Sequence, residues 1–127
     1  TGGHQQTARQ WYSETRLPVF AWSSLSRGYF SGRFTPGEIR AMPEDSELEF
    51  VHWYRSEANL ERLERVFELA ERKGATVPQL AMAYVLRLPM NLFALAGCQN
   101  PGEMTALDEA FIIDLSSEEM AYLDRGN

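Results

Sequence analysis

The chain has 127 residues, of which 44% are hydrophobic, so its length suffices for a single core and we expect one domain over residues 1–127. The formal net charge is −6 and basic residues are scattered among acidic ones, which argues against a nucleic-acid partner. The single cysteine, Cys98, excludes an internal disulfide and favours a cytoplasmic protein, and no stretch is apolar and long enough for a membrane span or a signal peptide.

The first predicted elements are a helix and a strand. Residues 1–6 have a turn-like composition, and we interpret His4 as a solvated loop histidine because no partner lies at a spacing typical of a catalytic triad. Residues 7–17 carry apolar and aromatic side chains near helical spacing, which predicts a short amphipathic helix. Pro18 then precedes the apolar run 19–22, which is typical of a strand covered on both faces in a parallel sheet.

A loop rich in serine and glycine follows this strand. Residues 23–32 supply hydroxyls and backbone N–H groups, and Arg27 and Arg33 add positive charge. A loop at the carboxyl end of a parallel strand is where α/β proteins hold anionic ligands. On residue types alone, the alternative is a serine and glycine turn with solvated arginines.

The next stretch, residues 35–58, shows no clear period. We expect an excursion with a turn of helix near residues 36–41. The aromatic patch at residues 50–54 has two open interpretations: it packs down on the rim of the fold, or it lines a ligand site. We interpret His52, which lies inside this patch, as packed rather than catalytic.

Two capped helices are predicted after the excursion. Residues 59–73 place apolar side chains on one face, with Asn59 as the N-cap and Gly74 as the C-terminal stop. The other face alternates acidic and basic residues and is solvated. Residues 76–79, Thr-Val-Pro-Gln, have the pattern of a capping box with an early proline, and they predict a helix that ends near Leu88.

The last part of the chain predicts a strand and two further helices. The apolar run 92–96 fits a buried parallel strand. Asn100 and Glu103 are an N-cap and a capping-box acid, and they predict a helix over residues 101–111. Its N-terminus, placed just after a strand, is a ready anion site. Residues 116–119 repeat the capping-box pattern and predict a short terminal helix.

In their order and spacing these elements resemble the aldo-keto reductases. Residues 21–34, AWSSLSRGYFSGRF, are similar to the family's seventh-strand segment, and residues 68–86, ELAERKGATVPQLAMAYVL, are similar to its following helix pair. The resemblance covers residues 18–124 apart from 35–58. It implies an α/β fold that is a partial (β/α)8 TIM barrel, made of C-terminal βα units with capping helices, since a whole barrel needs about 250 residues. Thr1 in place of an initiator methionine fits a truncated or processed chain.

The resemblance also implies a cofactor site, because the family reduces aldehydes and ketones with NADP(H). The residues that it places at the cofactor are Trp22, Ser23, Leu25, Arg27, Gly97, Cys98, Gln99 and Asn100. The first of them stands where the family has a tyrosine that stacks on the nicotinamide, and the next three stand where the pyrophosphate is held. The last four stand in the loop for the adenosine end and the 2′-phosphate. In the family the loop after the seventh strand often varies and folds over the cofactor, so both interpretations of residues 50–54 stay open.

The chain departs from the family pattern at several of these positions. Tryptophan replaces tyrosine at Trp22, and Ser24 and Ser26 stand where proline and glycine are common. Glu103 stands where a basic residue is expected and would repel a phosphate, and Ala106 and Leu107 replace polar residues one turn later. The cofactor is therefore NADP(H) or NAD(H), or the site is weakened or lost.

No catalytic residue and no metal site are assigned in this chain. The family's catalytic tyrosine, lysine, aspartate and histidine lie on earlier strands, and none of their motifs occurs here. We interpret the chain as the cofactor-binding C-terminal portion of a parent oxidoreductase, inactive by itself, with a nicotinamide nucleotide and the missing N-terminal barrel half or another copy as partners. The alternative is a non-catalytic binding or assembly module that dimerises through exposed barrel edges.

Overall fold

The computed structural model describes residues 3–126, with side chains from residue 6 onward. Its helices and strands are, in chain order, α1 (Gly3–Thr15), β1 (Val19–Ala21), α2 (Pro36–Ala41), α3 (Glu49–Tyr54), α4 (Glu57–Lys73), α5 (Val77–Leu86), β2 (Leu92–Ala94), α6 (Pro101–Asp108) and α7 (Ser117–Arg125). Single 3₁₀ turns lie at Ser26–Gly28 and Glu109–Phe111. The predicted turn at residues 1–6 is wrong from residue 3 onward, where α1 begins, and the side chain of His4 lies outside the described side chains.

The two strands of the described chain form a parallel pair, as the sequence predicted. Val19 pairs with Leu92 and Ala21 with Ala94, and the pairing continues where the N–H of Leu95 donates to the carbonyl of Ala21 at 3.0 Å. Each strand has three residues and is shorter than the apolar run that predicted it. The register sets the carboxyl ends of both strands side by side.

The prediction that these strands are covered on both faces is wrong. Phe20 is 66% exposed and Phe93 is 48% exposed, and their rings stack with centroids 5.3 Å apart. The other face is covered because β2 contacts α5, and Ala94 packs against the core. The helices of the described residues lie against only one face of the sheet, so the side chains that alternate to the other face stay in solvent.

The core lies around α4 and α5. Leu63 of α4 and Leu80 of α5 are fully buried, and Leu69 of α4 is 1% exposed. Ile39 of α2 and Leu123 of α7 close the cluster from two further helices. The apolar stripe of α4 thus faces the interior, as its spacing predicted.

Local capping chemistry fixes most helix ends. Thr76 and Gln79 form the predicted capping box of α5. At α6 the side chain of Asn100 is the N-cap as predicted. The helix predicted over residues 101–111 ends at Asp108 and continues as a 3₁₀ turn, and the box at the start of α7 forms between Ser116 and Glu119.

The start of α4 differs from its prediction. Ser56 is the N-cap, and its hydroxyl accepts the N–H of Asn59 at 3.3 Å. Asn59 lies inside the helix, where its amide donates to the carbonyl of Tyr54 at 2.7 Å. Gly74, with φ +63°, ends the helix as predicted, because a left-handed residue at this position suits glycine.

The excursion contains more helix than its sequence indicated. The turn of helix at α2 is confirmed, with Thr35 as its cap, and α3 forms within the aromatic patch. Phe50 is 5% exposed and packs down, whereas Trp53 is 73% exposed. The prediction that His52 is packed is wrong: its side chain is exposed, although Nε2 lies 2.8 Å from the carbonyl of Ser46.

Candidate functional site

Two loops meet at the carboxyl edge of the sheet. The first, residues 22–33, follows β1, and the second, residues 95–100, follows β2. Because the strands are parallel and paired in register, both loops leave the same edge. The edge at the carboxyl ends of parallel strands is the usual position of ligand sites in α/β proteins. The sequence-predicted cofactor residues are therefore brought to one edge of the sheet.

Trp22 and Arg27 form the exposed centre of the first loop. The indole is 73% exposed, and the guanidinium carbon of Arg27 lies 5.0 Å from the centroid of its ring, a cation–π distance. Arg27 Nη1 also donates to a carboxylate oxygen of Glu49, the first residue of α3. The site thus offers an aromatic face and a guanidinium group, which Glu49 of α3 holds in place and whose charge it partly offsets.

The backbone of the first loop turns sharply through left-handed conformations. Ser23, Ser26 and Arg27 have φ of +54°, +51° and +54°, and Gly28 has φ +93°. The N–H of Ser26 donates to the carbonyl of Ser23 at 2.7 Å, and the carbonyl of Leu25 accepts the N–H of Gly28 at 3.1 Å. Non-glycine residues in this region carry backbone strain, which clusters at ligand-binding positions. Gly28, like Gly32 with φ +74°, adopts its conformation without that cost.

The strain at Ser26 gives a stability prediction. A left-handed L-residue costs about 1–2 kcal/mol, and glycine loses about 0.4–1 kcal/mol more chain entropy on folding, so Ser26→Gly should raise the free energy of unfolding by about 0.5–1 kcal/mol. Urea denaturation measures it. The matched control is Ser31→Gly, which removes a hydroxyl that donates to the carbonyl of Gly28 at 2.6 Å and should lower the same quantity. A lower stability for Ser26→Gly would contradict the interpretation.

Tyr29 anchors the first loop to the core. It is 1% exposed, and its ring meets Phe30 and Phe50 with centroids 5.1 and 5.8 Å away, both edge-on. Burial raises the pKa of its hydroxyl to about 12. Because Phe50 belongs to α3, this aromatic contact ties the aromatic patch to the loop that carries Trp22.

The second loop is held partly by a side chain of α6. Gly97, Gln99 and Asn100 are exposed and Cys98 is half-buried. Glu103 Oε2 accepts the N–H of Gln99 at 2.8 Å, and Glu103 Oε1 accepts from Asn100 Nδ2 at 3.2 Å. The prediction of a capping box at Asn100 and Glu103 is therefore wrong in its second contact, because the carboxylate of Glu103 accepts the N–H of Gln99 and not that of the N-cap residue Asn100. A carboxylate already accepts the N–H of Gln99, so this loop has one backbone donor fewer to offer an anion.

Sequence reasoning missed Glu49 as a member of the site. The residue lies 22 positions after Arg27, and nothing local marks it as that arginine's partner. The other predicted residues take different surroundings: Ser23 and Leu25 are half-buried, and Leu25 packs against the core.

Two further kinds of feature are absent from residues 3–126. No group of three or more histidine, cysteine, aspartate or glutamate side chains there could hold a metal ion. None of the helices described is long and apolar enough to cross a membrane.

Comparison with known proteins assigns the chain to a family. The model of the family described as "Aldo/keto reductase family" matches residues 4–127. A Schizosaccharomyces pombe protein with the provisional name voltage-gated potassium channel subunit beta is 26% identical over 113 residues, which cover 81% of this chain and 32% of that protein. A Glycine max protein with the provisional name aldo-keto reductase 1 is 26% identical over 111 residues, covering 84% of this chain and 31% of that protein.

The chain thus spans about a third of the length of these curated relatives. The family has a TIM-barrel-type α/β fold and oxidoreductase function, and it generally uses NAD(P)H. The family match includes all of residues 18–124, so the resemblance identified in the sequence is confirmed. The chain belongs to the aldo/keto reductase family.

Proposed function

We propose that this chain is the C-terminal, cofactor-binding portion of an aldo/keto reductase that reduces aldehydes or ketones with a nicotinamide cofactor. In this proposal residues 1–127 are one domain of the cytoplasmic parent and are not catalytic alone. The parent's N-terminal barrel half supplies the catalytic groups. The proposal rests on family membership and on the short length of the match to full-length relatives.

The observation that carries the proposal is the joint position of Trp22 and Arg27 at the carboxyl edge of the sheet. A planar nicotinamide needs an aromatic face, and a pyrophosphate needs positive charge with hydrogen-bond donors nearby. Trp22 is 73% exposed and Arg27 lies 5.0 Å from its ring. The residues of the first loop therefore fit a nicotinamide dinucleotide, and the cofactor supplies the hydride when it is bound.

The second loop fits the adenosine end less well. The amide of Gln99 already donates to Glu103, and that carboxylate adds negative charge beside Asn100. A phosphate placed there would be repelled by the carboxylate of Glu103 unless it displaced that side chain. We therefore include NAD(H) beside NADP(H) as the cofactor of the parent.

The test is nucleotide binding to the chain. NADH and NADPH should each be titrated while tryptophan fluorescence is recorded, and saturable quenching is expected. Arg27→Gln should weaken binding about tenfold, because a charge-assisted hydrogen bond to a phosphate is lost. Trp22→Phe should remove most of the quenching.

Two further tryptophans supply controls for this titration. Trp11 belongs to α1, which precedes the amino end of β1, so Trp11→Phe should leave the quenching unchanged. Trp53 is 73% exposed on α3, and loss of part of the signal in Trp53→Phe would favour the aromatic patch as a cover of the cofactor. Absence of saturable binding of either nucleotide at millimolar concentration would overturn the proposal.

A second candidate function rests on the exposed sheet face. Phe20 and Phe93 are 66% and 48% exposed, and a two-stranded sheet leaves unpaired edges. A non-catalytic module that pairs with another copy, or with another chain, through these exposed edges and the apolar face beside them would cover both features. A stable dimer in sedimentation, together with no nucleotide binding, would favour this function over the first.

A further inference from the structure

A groove with a volume of about 560 Å³ lies between α1, α5 and α7, away from the two loops of the candidate site. Residues 88–90, which connect α5 to β2, form part of its floor. They precede β2, so the groove lies toward the amino end of that strand. The candidate cofactor site lies at the carboxyl end of the strand, so the two sites occupy different parts of the fold.

The groove combines an apolar floor with a basic rim. Its floor includes Leu88, Met90 and Met120, which offer only apolar contact. Its three basic residues are Arg9 on α1, Arg87 at the C-cap of α5, and Arg125 in the last turn of α7. Three separate parts of the chain thus bring a guanidinium group to one cavity.

The charge of this groove is opposite to that of the chain. The chain has a net charge of −6, whereas three arginines and a single carboxylate, that of Asp124, line the groove. Asp124 Oδ1 lies 3.3 Å from the hydroxyl of Tyr84, and Arg87 lies 3.7 Å from Asp114, whose side chain is 97% exposed. Within the described residues the groove therefore keeps an excess of positive charge.

Among the described residues, two of the three arginines make no ion pair with a carboxylate. The ion pairs of residues 3–126 include neither Arg9 nor Arg125. A planar guanidinium binds a carboxylate through two parallel hydrogen bonds, which a free arginine on a concave surface can offer to a ligand.

We propose that this groove binds a small amphipathic carboxylate, with its anionic head on Arg9 and Arg125 and its apolar body on the methionine-lined floor. Small-molecule sites typically have volumes of about 300–1,000 Å³ and combine apolar contact with polar groups that fix orientation. The groove lies within this volume range, and its lining combines apolar with charged side chains. Met90 and Met120 are flexible enough to adapt to an apolar chain. The proposal does not depend on nucleotide binding or on the proposed reductase function.

The first experiment uses the methionines as reporters. The chain, with ¹³C-labelled methionine methyl groups, should be titrated with decanoate. We expect saturable shifts of the signals of Met90 and Met120, which line the groove, while Met42 and Met104, which do not, keep their positions. Equal shifts at all four methyl groups, or no saturable shift at millimolar decanoate, would overturn the proposal.

The second experiment tests the anionic head. The double variant Arg9→Gln and Arg125→Gln should bind decanoate about tenfold more weakly or worse, since charge-assisted hydrogen bonds are lost. Arg33→Gln, in the loop after β1, removes the same charge elsewhere and should bind as the unchanged chain does. Neutral 1-decanol should bind more weakly than decanoate. Unchanged affinity in the double variant, an equal loss in Arg33→Gln, or binding to anionic lipid vesicles without binding of decanoate would contradict the assignment.

Discussion

Leu80→Ala should lower the free energy of unfolding by about 2–5 kcal/mol, the cost of a cavity at a fully buried leucine. Leu80 has no exposed surface and belongs to α5, which packs against α4 and β2 and so joins the helices to the sheet. Because a domain of this size is stable by only about 5–15 kcal/mol, one such cavity removes a large part of the total. Urea denaturation should show a lower midpoint with an unchanged slope.

Two further variants keep this result interpretable. Leu17→Ala removes the same atoms from a side chain that is 47% exposed, between α1 and β1, and should change stability by no more than about 0.5 kcal/mol. Leu80→Met keeps the volume and should cost less than about 1.5 kcal/mol, which provides a folded variant if Leu80→Ala fails to fold. Equal losses for Leu80→Ala and Leu17→Ala would show that α5 is not the centre of the core.

The elements that could be predicted from the sequence are those with local causes. The capping box of Thr76 and Gln79 depends on residues three positions apart, and Gly74 ends α4 because a left-handed residue favours glycine. The parallel pairing of the strands follows from apolar runs separated by helices. Such features need no knowledge of the rest of the fold.

The elements that could not be predicted depend on distant parts of the chain. The apolar run at β1 is compatible with burial on both faces, but exposure of Phe20 depends on which segments cover the sheet. The six residues of α3 are too few to show a helical period. The contact between Arg27 and Glu49 spans 22 positions, so the family resemblance could assign Arg27 to the predicted cofactor site, but no local pattern could name its partner.

Tyr29→Phe should raise the free energy of unfolding by about 1–3 kcal/mol, an unusual gain for a core substitution. The hydroxyl of Tyr29 is buried and has no hydrogen-bond partner among the described residues, so folding leaves it without the bonds that water supplies. Phenylalanine keeps the ring and its edge-on contacts with Phe30 and Phe50. As a matched control, Tyr122→Phe removes a hydroxyl that donates to Glu68 at 2.6 Å and should lower stability by about 1 kcal/mol.

The same hydroxyl predicts how stability depends on alkaline pH. Burial raises the pKa of Tyr29 from 10.0 to about 12, so the unfolded chain loses this proton first as the pH rises. The contribution that the protonated hydroxyl makes to the free energy of unfolding is fully present below pH 10, and it is lost between pH 10 and about pH 12. A shift of this size corresponds to about 2–3 kcal/mol.

Urea denaturation at several pH values from 8 to 12 should therefore show that the stability advantage of Tyr29→Phe over the unchanged chain grows above pH 10. Because the other tyrosines are the same in both chains, the difference reports Tyr29 alone. A constant difference over this range would show that folding does not raise the pKa of Tyr29, and a variant less stable than the unchanged chain at pH 8 would show that the hydroxyl has a hydrogen-bond partner.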